Sequence, residues 1–394
     1  MAGLISTQEA RQRVLSRVQA LPAESVTLTS ALGRTLAEDV GSSHDVPPFE
    51  SSSMDGFAVL AGPARELRVV GESRAGHPAA VAVEQGTAVR ISTGAQVPAG
   101  ADAVVPIERA DASDGTVAIP ETAPGTNVRH PGEDVRAGST VLRRGTVLGA
   151  AELGVLASLG QAEVPCARQP RLALVLTGDE LTEPGRPLRP GCIWSSNGVA
   201  LAARAERHGA RTVSIETVPD ERQATLASIA RALDAADVIC VSGGVSVGEH
   251  DHVKAAFAEL GVEEVFWGVR LKPGKPTWFG LRDDRPVFGL PGNPVSAMVT
   301  FELFVRPALR GLQGAGPDER RASAVLDQAV TLDGQREQAV RVRLRADEDG
   351  WHATPTGPQG SHVLTSMLDA GALALLPSGD GELGAGTRVE VDLL

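Results

Sequence analysis

The sequence feature that most constrains the fold is an alternation of short apolar runs and helical segments in the second half of the chain. The apolar runs have the length of buried strands, and the segments between them have helical periodicity. The strands are expected at 172–176, 212–217 and 238–241, and the helices at 199–208 and 222–235. Such alternation is typical of a mostly parallel sheet with helices on both faces. Because ligands bind at the carboxyl ends of strands in such sheets, the residues after each run are the first candidates for a site.

The remainder of the chain indicates further regions. Residues 44–147 consist of short β-like runs separated by glycine and proline, which is typical of a compact β domain. A capping pattern at Ser6 to Glu9 predicts an N-terminal helix, and further helices are expected near 30–39 and 149–160. The tail returns to strands that suit a small β-barrel or sandwich. Since 394 residues exceed one ordinary core, we predict a multidomain α/β plus β protein with four parts: 1–45 together with 141–170, an inserted β domain at 46–140, an α/β domain at 171–313 and a tail domain at 314–394.

Composition narrows the classes of function. The formal net charge of −12 argues against a nucleic-acid surface, although a few local cations could still hold an anionic small molecule. No apolar run approaches the length of about 18 residues that a membrane span needs. The N-terminus does not resemble a signal peptide, because charged residues interrupt it before any apolar region. The three cysteines are far apart and in no metal-ligand spacing, so we expect reduced thiols. We therefore expect a cytoplasmic protein without nucleic-acid or membrane partners.

The third apolar run leads into a glycine loop that ends in an acid, Ser242-Gly243-Gly244-Val245-Ser246 to Asp251. Glycines directly after a strand let backbone N–H groups approach an anion, although a tight turn would explain them equally well. Two like charges about 4 Å apart interact by ~4 kcal/mol at an effective dielectric of about 20, whereas a helix terminus contributes only about 0.3–1 kcal/mol. A carboxylate at an anion site therefore repels the anion more strongly than a helix terminus attracts it. A divalent cation would remove this repulsion, since magnesium is commonly held by one or two carboxylates and substrate phosphates.

Two further acids follow neighbouring strands. Asp220 comes after the second apolar run and is the candidate second carboxylate, although it could equally be the N-cap of the next helix. Glu180 comes after the first run, although a solvated loop acid has the same pattern. The sequence therefore predicts an acidic sheet edge, with Asp220 and Asp251 as the magnesium ligands.

Lysine is confined to one short part of the chain. All three lysines, Lys254, Lys272 and Lys275, fall within 22 residues, while 34 arginines supply the other positive charges. Lys272 and Lys275 flank a proline–glycine turn, and each precedes a proline, which holds its backbone out of the helical region. An ammonium group is a compact point charge that suits small anions. We interpret this stiff loop as an oxyanion site. The alternative is that both lysines are solvent-exposed and bind nothing. Lys254 is expected only to balance the charge of neighbouring acids.

Other segments are weaker signals by themselves. In the run from Pro291 to Pro294, Asn293 suits a helix N-cap and Pro294 the first helical position. A helix start explains this run except for the preceding Pro291-Gly292 pair. By themselves, the segments around Asp55 and Thr93 predict turns, and the segment around Asp134 predicts a polar loop.

Taken together, these segments closely resemble the molybdopterin molybdenumtransferases, the family that includes the C-terminal domain of gephyrin. The resemblance covers essentially the whole chain, and its most specific motifs are PPFESSSMDGFAV, RISTGAQVPAGADAVVPIE, RHPGED, LTGDEL, VSGGVSVGEHD, LKPGKP and GLPGNPVSA. It implies the last step of molybdenum cofactor synthesis, in which adenylylated molybdopterin and molybdate react and AMP is released. It also implies a homodimer of elongated subunits, in which 1–45 and 141–170 form the linking and dimerisation region and the partner's β domain completes the cleft.

The resemblance further implies roles for individual residues. The expected catalytic set is Asp55, Asp134, Asp220, Asp251, Lys272 and Lys275, with molybdate held by the two lysines and magnesium by Asp220 and Asp251. Arg341 and Ser361 are expected to assist the lysines. Pterin and nucleotide contacts are implied for Glu180, Asn197, Ser242, Gly243, Gly244 and Ser246, a partner-supplied face for Asp55, Thr93 and Asp134, and a loop that shapes the cleft for Pro291 and Pro294.

Departures from the family pattern remove none of these groups. Glu50 replaces a common aspartate, and Phe57 and His252 replace common tyrosines. The alternatives are a catalytically idle scaffold of the gephyrin type and the molybdopterin adenylyltransferase of the preceding step. The intact set of acids and lysines speaks against the scaffold, and the two additional β regions speak against the adenylyltransferase. Contacts with that upstream enzyme or with molybdopterin-delivering proteins are a further expectation.

Overall fold

The structure is a computed structural model that describes residues 3–245, 252–316 and 321–394. The chain opens with helix α1 (Thr7–Leu15), where the Oγ of Ser6 accepts a hydrogen bond from the backbone N–H of Glu9 at 3.1 Å, as the capping pattern predicts. Two short strands follow: β1 (Ala23–Thr27) and β2 (Val40–Gly41).

The helix that we expected at 30–39 does not form, and that prediction is wrong. The segment contains only the end of a 3₁₀ turn at Leu28–Ser30. The backbone N–H of Gly33 instead donates to the carbonyl of Leu148 at 2.8 Å, and that of Leu36 donates to Thr146 at 2.9 Å. These long-range bonds use donors that a helix would need for its own ladder, so tertiary pairing overrides the local pattern.

The inserted β region is built around one six-stranded sheet. Its order is β7-β4-β6-β5-β9-β8, and β5 and β6 form the parallel pair. Apolar side chains are buried on both sides of this sheet. The strands of the region are β3 (Ser51–Ser52), β4 (Gly56–Val59), β5 (Arg65–Ser73), β6 (Thr87–Ile91), β7 (Ala103–Pro106), β8 (Asp111–Ser113), β9 (Thr116–Ile119), β10 (Val128–Arg129) and β11 (Thr140–Leu142), with a 3₁₀ turn at Ile107–Arg109.

The segments on either side of this region pair with each other. Strand β2 pairs with β11, and β1 pairs with β12 (Glu163–Ala167), both antiparallel. Helix α2 (Ala150–Ser158) confirms the helix expected near 149–160. A separate small core, with Leu36, Leu156 and Cys166 fully buried, holds these ribbons together.

The α/β region contains a six-stranded sheet in the order β16-β13-β17-β21-β20-β18. The first four strands are parallel, as predicted, and β20 and β18 add an antiparallel edge. The elements are β13 (Arg171–Thr177), β14 (Leu181–Thr182), β15 (Ile193–Trp194), α3 (Asn197–Arg207), β16 (Arg211–Val218), α4 (Arg222–Ala235), β17 (Val238–Ser242), α5 (His252–Glu259), β18 (Glu263–Trp267), β19 (Leu271–Lys272), β20 (Trp278–Arg282), β21 (Arg285–Leu290), α6 (Pro294–Thr300), a π-helical turn at Phe301–Val305 and α7 (Arg306–Leu312).

The strand order creates a crevice at the carboxyl edge of the sheet. From β13 the chain passes through α3 to β16 on one side, and then through α4 to β17 on the other side of β13. Leu176 pairs with Ser242, and Ser242 pairs with Leu290, so three strand ends lie side by side. Ligands of open α/β sheets bind at such a switch point, so this edge is where a site is expected.

The tail confirms the predicted small β-barrel. Strands β24-β25-β22-β28-β26 follow one another, and β26 pairs back to β24, which closes a five-stranded barrel around an apolar interior. The elements are β22 (Arg321–Leu326), β23 (Val330–Thr331), β24 (Glu337–Asp347), β25 (Gly350–Pro355), a 3₁₀ turn at Leu364–Met367, β26 (Ala372–Leu376), β27 (Glu382–Leu383) and β28 (Arg388–Leu393).

Two kinds of contact hold the barrel against the α/β region. Strand β19 pairs in parallel with β24, and this brings Lys272 opposite Gln338. Deeper inside, the buried Arg306 donates from Nη2 to Asp392 Oδ1 of β28 at 3.2 Å. The barrel therefore lies beside the lysine loop. None of the helices in the described ranges is long and apolar enough to cross a membrane.

Candidate active site

A cleft of about 400 Å³ lies at the switch point of the parallel sheet. It contains many of the residues that the sequence singled out, together with several that it did not. The lining consists of Leu176, Thr177, Glu180, Leu181, Ile193, Trp194, Ser195, Ser196, Asn197, Ser242, Pro276, Pro291, Gly292, Asn293 and Pro294. The cleft thus joins the ends of β13 and β17 to the start of α3, the start of α6 and the end of the lysine loop.

The floor of the cleft is a connected set of hydrogen bonds. Asn197, the first residue of α3, donates from Nδ2 to Ser242 Oγ at 2.9 Å and to the carbonyl of Gly292 at 2.8 Å. Ser242 in turn donates from Oγ to the carbonyl of Pro291 at 3.1 Å. Three segments far apart in the chain are therefore locked together before any ligand arrives, which is the preorganisation that binding sites need.

The glycines after β17 are required by close approach. Gly243 has φ 101, and a Cβ on it would lie 2.6 Å from the carbonyl oxygen of Thr177. Gly244 has φ 62, and a Cβ there would lie 2.6 Å from a methyl group of Val253. Other residues would strain or displace the loop at either position. The next part of the loop, including the predicted residues Ser246 and Asp251, lies outside the described residues.

The other two predicted acids lie at the same edge of the sheet. Glu180 lines the cleft, and its carboxylate folds back over Gly178. Asp220 follows β16, and its backbone N–H donates to Asp179 Oδ1 at 3.1 Å. The N-cap of α4 is Glu221 rather than Asp220. Within the described ranges the Asp220 carboxylate has neither a hydrogen bond nor an ion pair, so it is available to a cation.

The two lysines of the loop face away from the floor of the cleft. Lys272 Nζ lies 3.3 Å from Asp333 Oδ2, and Arg336 Nη2 lies 2.8 Å from the same oxygen. The hydrogen bond from Arg336, with a further contribution from Lys272, holds the pKa of the Asp333 carboxyl well below its usual range. Lys275 lines a second recess of about 670 Å³ together with Leu4, Arg270, Asp333, Gln335 and Arg336.

The recess and the cleft share one loop. Lys275 lines the recess, which we call the lysine recess, and the next residue, Pro276, lines the cleft. Arg270, Lys275 and Arg336 line the recess with Asp333, and Lys272 pairs with the same carboxylate, so four cations belong to this group in a chain of net charge −12. Lys254 is not part of this group, because its Nζ lies 4.1 Å from the centre of the Trp267 ring.

Ser361 reaches the cleft from the tail. Its Oγ accepts a hydrogen bond from Nδ2 of Asn293, the N-cap of α6, at 3.0 Å, and its carbonyl accepts one from the N–H of Val295 at 3.1 Å. Since Asn293 lines the cleft, Ser361 stands directly behind that wall.

Arg341, which was expected to assist the lysines, is buried within the tail. Its side chain is 1% exposed, and it donates from Nε to Ser366 Oγ at 3.1 Å and from Nη2 to the carbonyl of Gly360 at 3.2 Å. Burial lowers its pKa to about 10. Val340 and Val342, its neighbours on β24, pack into the barrel interior, so strand alternation places Arg341 on the opposite side, where it supports the loop that carries Ser361.

The predicted residues of the β region form a separate polar surface. Asp55 Oδ1 accepts a hydrogen bond from the backbone N–H of Thr93 at 2.7 Å, and both residues are exposed. Asp134 lines another recess with Arg129 and Glu133. None of these residues lines the cleft or the lysine recess of the same chain.

One cluster of metal-ligand type was not predicted. Asp347, Asp349 and His352 lie close together on the barrel hairpin, and they are the group of three such residues found among the described positions. Both ring nitrogens of His352 are already engaged, by Asp327 and Asp349 at 2.8 Å each, which raises the pKa of the imidazole. Because carboxylates engage both ring nitrogens, the imidazole has no free nitrogen to offer an ion, and we assign no metal to this cluster.

Comparison with known proteins accounts for the whole chain. Residues 5–160 match the family model of the MoeA N-terminal region (domain I and II), residues 173–311 match the probable molybdopterin binding domain, and residues 323–394 match the MoeA C-terminal region (domain IV). The chain is 39% identical to molybdopterin molybdenumtransferase 2 of Mycobacterium tuberculosis over 98% of each protein. It is 35% identical to the molybdopterin molybdenumtransferase of Haemophilus influenzae, covering 99% of this chain and 98% of that one.

A solved structure extends the similarity to three dimensions. The crystal structure of the molybdopterin biosynthesis MoeA protein from Pyrococcus horikoshii superimposes with a TM-score of 0.84 at 32% identity, and the match covers 99% of both chains. The fold described above is therefore shared along nearly the entire chain.

Proposed function

The chain belongs to the MoeA family of molybdopterin molybdenumtransferases, and we propose that it inserts molybdate into adenylylated molybdopterin with release of AMP, giving molybdenum cofactor. The observation that carries this proposal is the junction of two sites on one loop. Pro276 borders a cleft suited to the organic substrate, and Lys275 borders a recess suited to an oxyanion. A reaction between a nucleotide-linked pterin and molybdate needs both sites side by side.

In this proposal the cleft binds the adenylylated pterin. The hydrogen bonds among Asn197, Ser242 and Gly292 support a rigid floor, and the glycines at 243 and 244 let the backbone approach the substrate closely. Pro291 and Pro294 shape the wall beside it, and Glu180 lines the same opening. Binding energy would thus be spent on holding the substrate's pyrophosphate link at the edge of the sheet.

Molybdate, as substrate, is assigned to the lysine recess. A dianion entering there would meet Lys275 and Arg270 first, and it would compete with the Asp333 carboxylate for Lys272 and Arg336. Ser361 stands behind the part of the cleft wall that Asn293 forms, and Arg341 supports its loop. The chemical work is the neutralisation of two anionic groups by charges that are already in position, so no protein nucleophile is invoked.

Magnesium is the proposed metal, and its expected ligands are Asp220 and Asp251. The donor set fits this hard cation, since among the described residues the Asp220 carboxylate at the carboxyl edge of the sheet has no hydrogen bond or ion pair, and Asp251 follows the glycine loop in sequence. When bound, the cation would screen phosphate charge from these acids. The glycine loop and the start of α3 would orient the pyrophosphate without it.

We further propose a cytoplasmic homodimer. Asp55, Thr93 and Asp134 line neither site of their own chain, which supports their assignment to a face that completes the cleft of a partner subunit. The three free cysteines suit a reducing compartment. Sedimentation of the purified protein tests the dimer directly, since a monomer at micromolar concentration would contradict it.

The decisive experiment is a turnover assay. The purified protein is incubated with adenylylated molybdopterin, magnesium and molybdate, and AMP is measured over time. We expect AMP release that depends on both molybdate and magnesium. Binding of the pterin without AMP release would instead favour the catalytically idle scaffold, and AMP-linked product formation from ATP and molybdopterin would favour the adenylyltransferase.

A further inference from the structure

One aromatic side chain at the cleft is unusually exposed. The chain has eight phenylalanines, four tryptophans and no tyrosine, so aromatic surface is scarce. Trp194 nevertheless is 53% exposed and lines the cleft, and the neighbouring Ile193 is 57% exposed. Large apolar side chains exposed at a concave site commonly mark a place where a ligand binds.

The indole of Trp194 is held in a defined orientation. Its Nε1 donates to the carbonyl of Arg186 at 3.0 Å, and its backbone lies in the β14–β15 pair opposite Thr182. The backbone N–H of Ser195 donates to the carbonyl of Thr182 at 2.8 Å and ties down the next residue. Because the single polar donor of the ring is already used, what the exposed indole can still offer a ligand is its π surface.

We propose that Trp194 is a stacking platform for a planar heterocycle of the substrate. The substrate class rests on the proposed function: adenylylated molybdopterin carries two flat ring faces, the pyrimidinone part of its pterin and the adenine. The polar floor of Asn197 and Ser242 can bind substituents of such a ring, but it supplies no surface against which a ring could stack. Trp194, at the same opening, supplies that surface and would select flat heterocycles over other phosphate esters.

The test measures binding of two separate probes, AMP and a free pterin, to the full-length protein. Trp194→Ala is compared with Trp194→Phe, which keeps an aromatic face but loses the bond to Arg186. Trp351→Ala is the matched control, because Trp351 is 42% exposed on the barrel hairpin and lines neither site. We expect Trp194→Ala to weaken binding of at least one probe by roughly 5- to 150-fold, Trp194→Phe to recover most of that affinity, and Trp351→Ala to bind as the wild type does.

Fluorescence provides a second readout that a purely structural role would not change. Stacking on an indole quenches its emission, so the bound probe should quench the wild type and the Trp351→Phe variant. The same probe should fail to quench Trp194→Phe even when it is bound. If Trp194→Ala loses affinity for AMP, the stacked ring is the adenine; if it loses affinity for the free pterin, the stacked ring is the pterin.

Three results would overturn the proposal. The first is wild-type affinity of Trp194→Ala for both probes. The second is equal loss in Trp194→Ala and Trp194→Phe, which would assign the effect to the hydrogen bond to Arg186. The third is a change in the sedimentation of Trp194→Ala with ligand affinity intact, which would assign the exposed ring to contact between two copies of the chain.

The proposed function can fail separately. If the wild type releases no AMP in the turnover assay while Trp194→Ala loses probe affinity, the function fails and the platform stands. If all variants release AMP with unchanged KM, the function stands and the platform fails.

Discussion

The cleft and the lysine recess lie on opposite sides of one loop, yet they are built differently. The cleft has a floor of hydrogen bonds in which Asn197, Ser242 and Gly292 satisfy one another. The recess has charges instead, and Asp333 engages both Arg336 of its lining and the neighbouring Lys272. In the proposed function, the organic substrate would therefore meet a floor that is already in place, whereas a small dianion would have to exchange ion-pair partners in the recess.

The largest effect that tests this comparison is expected from Lys275. Loss of an electrostatic group at a reaction centre costs about 10²–10³ in rate, so Lys275→Ala should reduce AMP release by at least that factor while AMP binding remains. Lys275→Arg should remain impaired, because a planar guanidinium does not replace a compact ammonium at a small dianion. The measurement is molybdate-dependent AMP release. Lys254→Ala is the control, since Lys254 lies against Trp267; full turnover by Lys275→Ala would end the assignment of molybdate to the recess.

A smaller effect is expected from the floor of the cleft. Asn197→Ala removes the two hydrogen bonds of about 1 kcal/mol each that hold the floor in place, so affinity for AMP should fall, by at most ~30-fold if the whole of that free energy serves to order the floor for binding. Titration of AMP measures it, and molybdate binding to the same variant is the internal control. If molybdate binding falls as much as AMP binding, the two sites are not built independently and the comparison fails.

Replacing Asp333 is expected to raise the apparent affinity for molybdate. Asp333→Asn removes the carboxylate that competes with molybdate for Lys272 and Arg336, so the half-saturating molybdate concentration should fall by roughly two- to fivefold, the range of an exposed ion pair. Asp283→Asn, at the exposed β20–β21 turn, is the matched control. An increase in that concentration would mean that Asp333 orients the cations instead of competing for them.

The smallest effect lies outside both sites, at the barrel hairpin. Asp349 and Asp327 raise the pKa of His352 above its usual value, so the stability from its protonation is present below the unfolded-state pKa and is lost as pH rises through the folded-state pKa. His352→Gln should therefore lower the melting temperature below about pH 6.5 and have less effect at pH 8, with AMP release unchanged. Thermal unfolding at the two pH values checks this, and an equal shift at both would contradict it.

Much of the fold was predictable because it follows from local pattern. The apolar runs of β13 and β17 are buried on both faces, which gives them continuous hydrophobicity that a sequence displays directly. The helix expected at 30–39 was wrong because the bonds from Gly33 and Leu36 to the 146–148 segment cannot be seen from either segment alone. The antiparallel edge formed by β18 and β20 was not predicted for the same reason.

The candidate site also has features that local sequence predicts and features that it does not. The amino-acid sequence by itself determined the strand ends, the glycine loop and the stiff lysine turn, since each depends on residues adjacent in the chain. Only the tertiary structure decided that Lys272 pairs with Asp333, that Arg341 is buried under the Ser361 loop, and that Trp194 stands exposed at the cleft. The first depends on how the barrel packs against the α/β region, and the other two depend on contacts between segments that are apart in the chain, which no short segment displays.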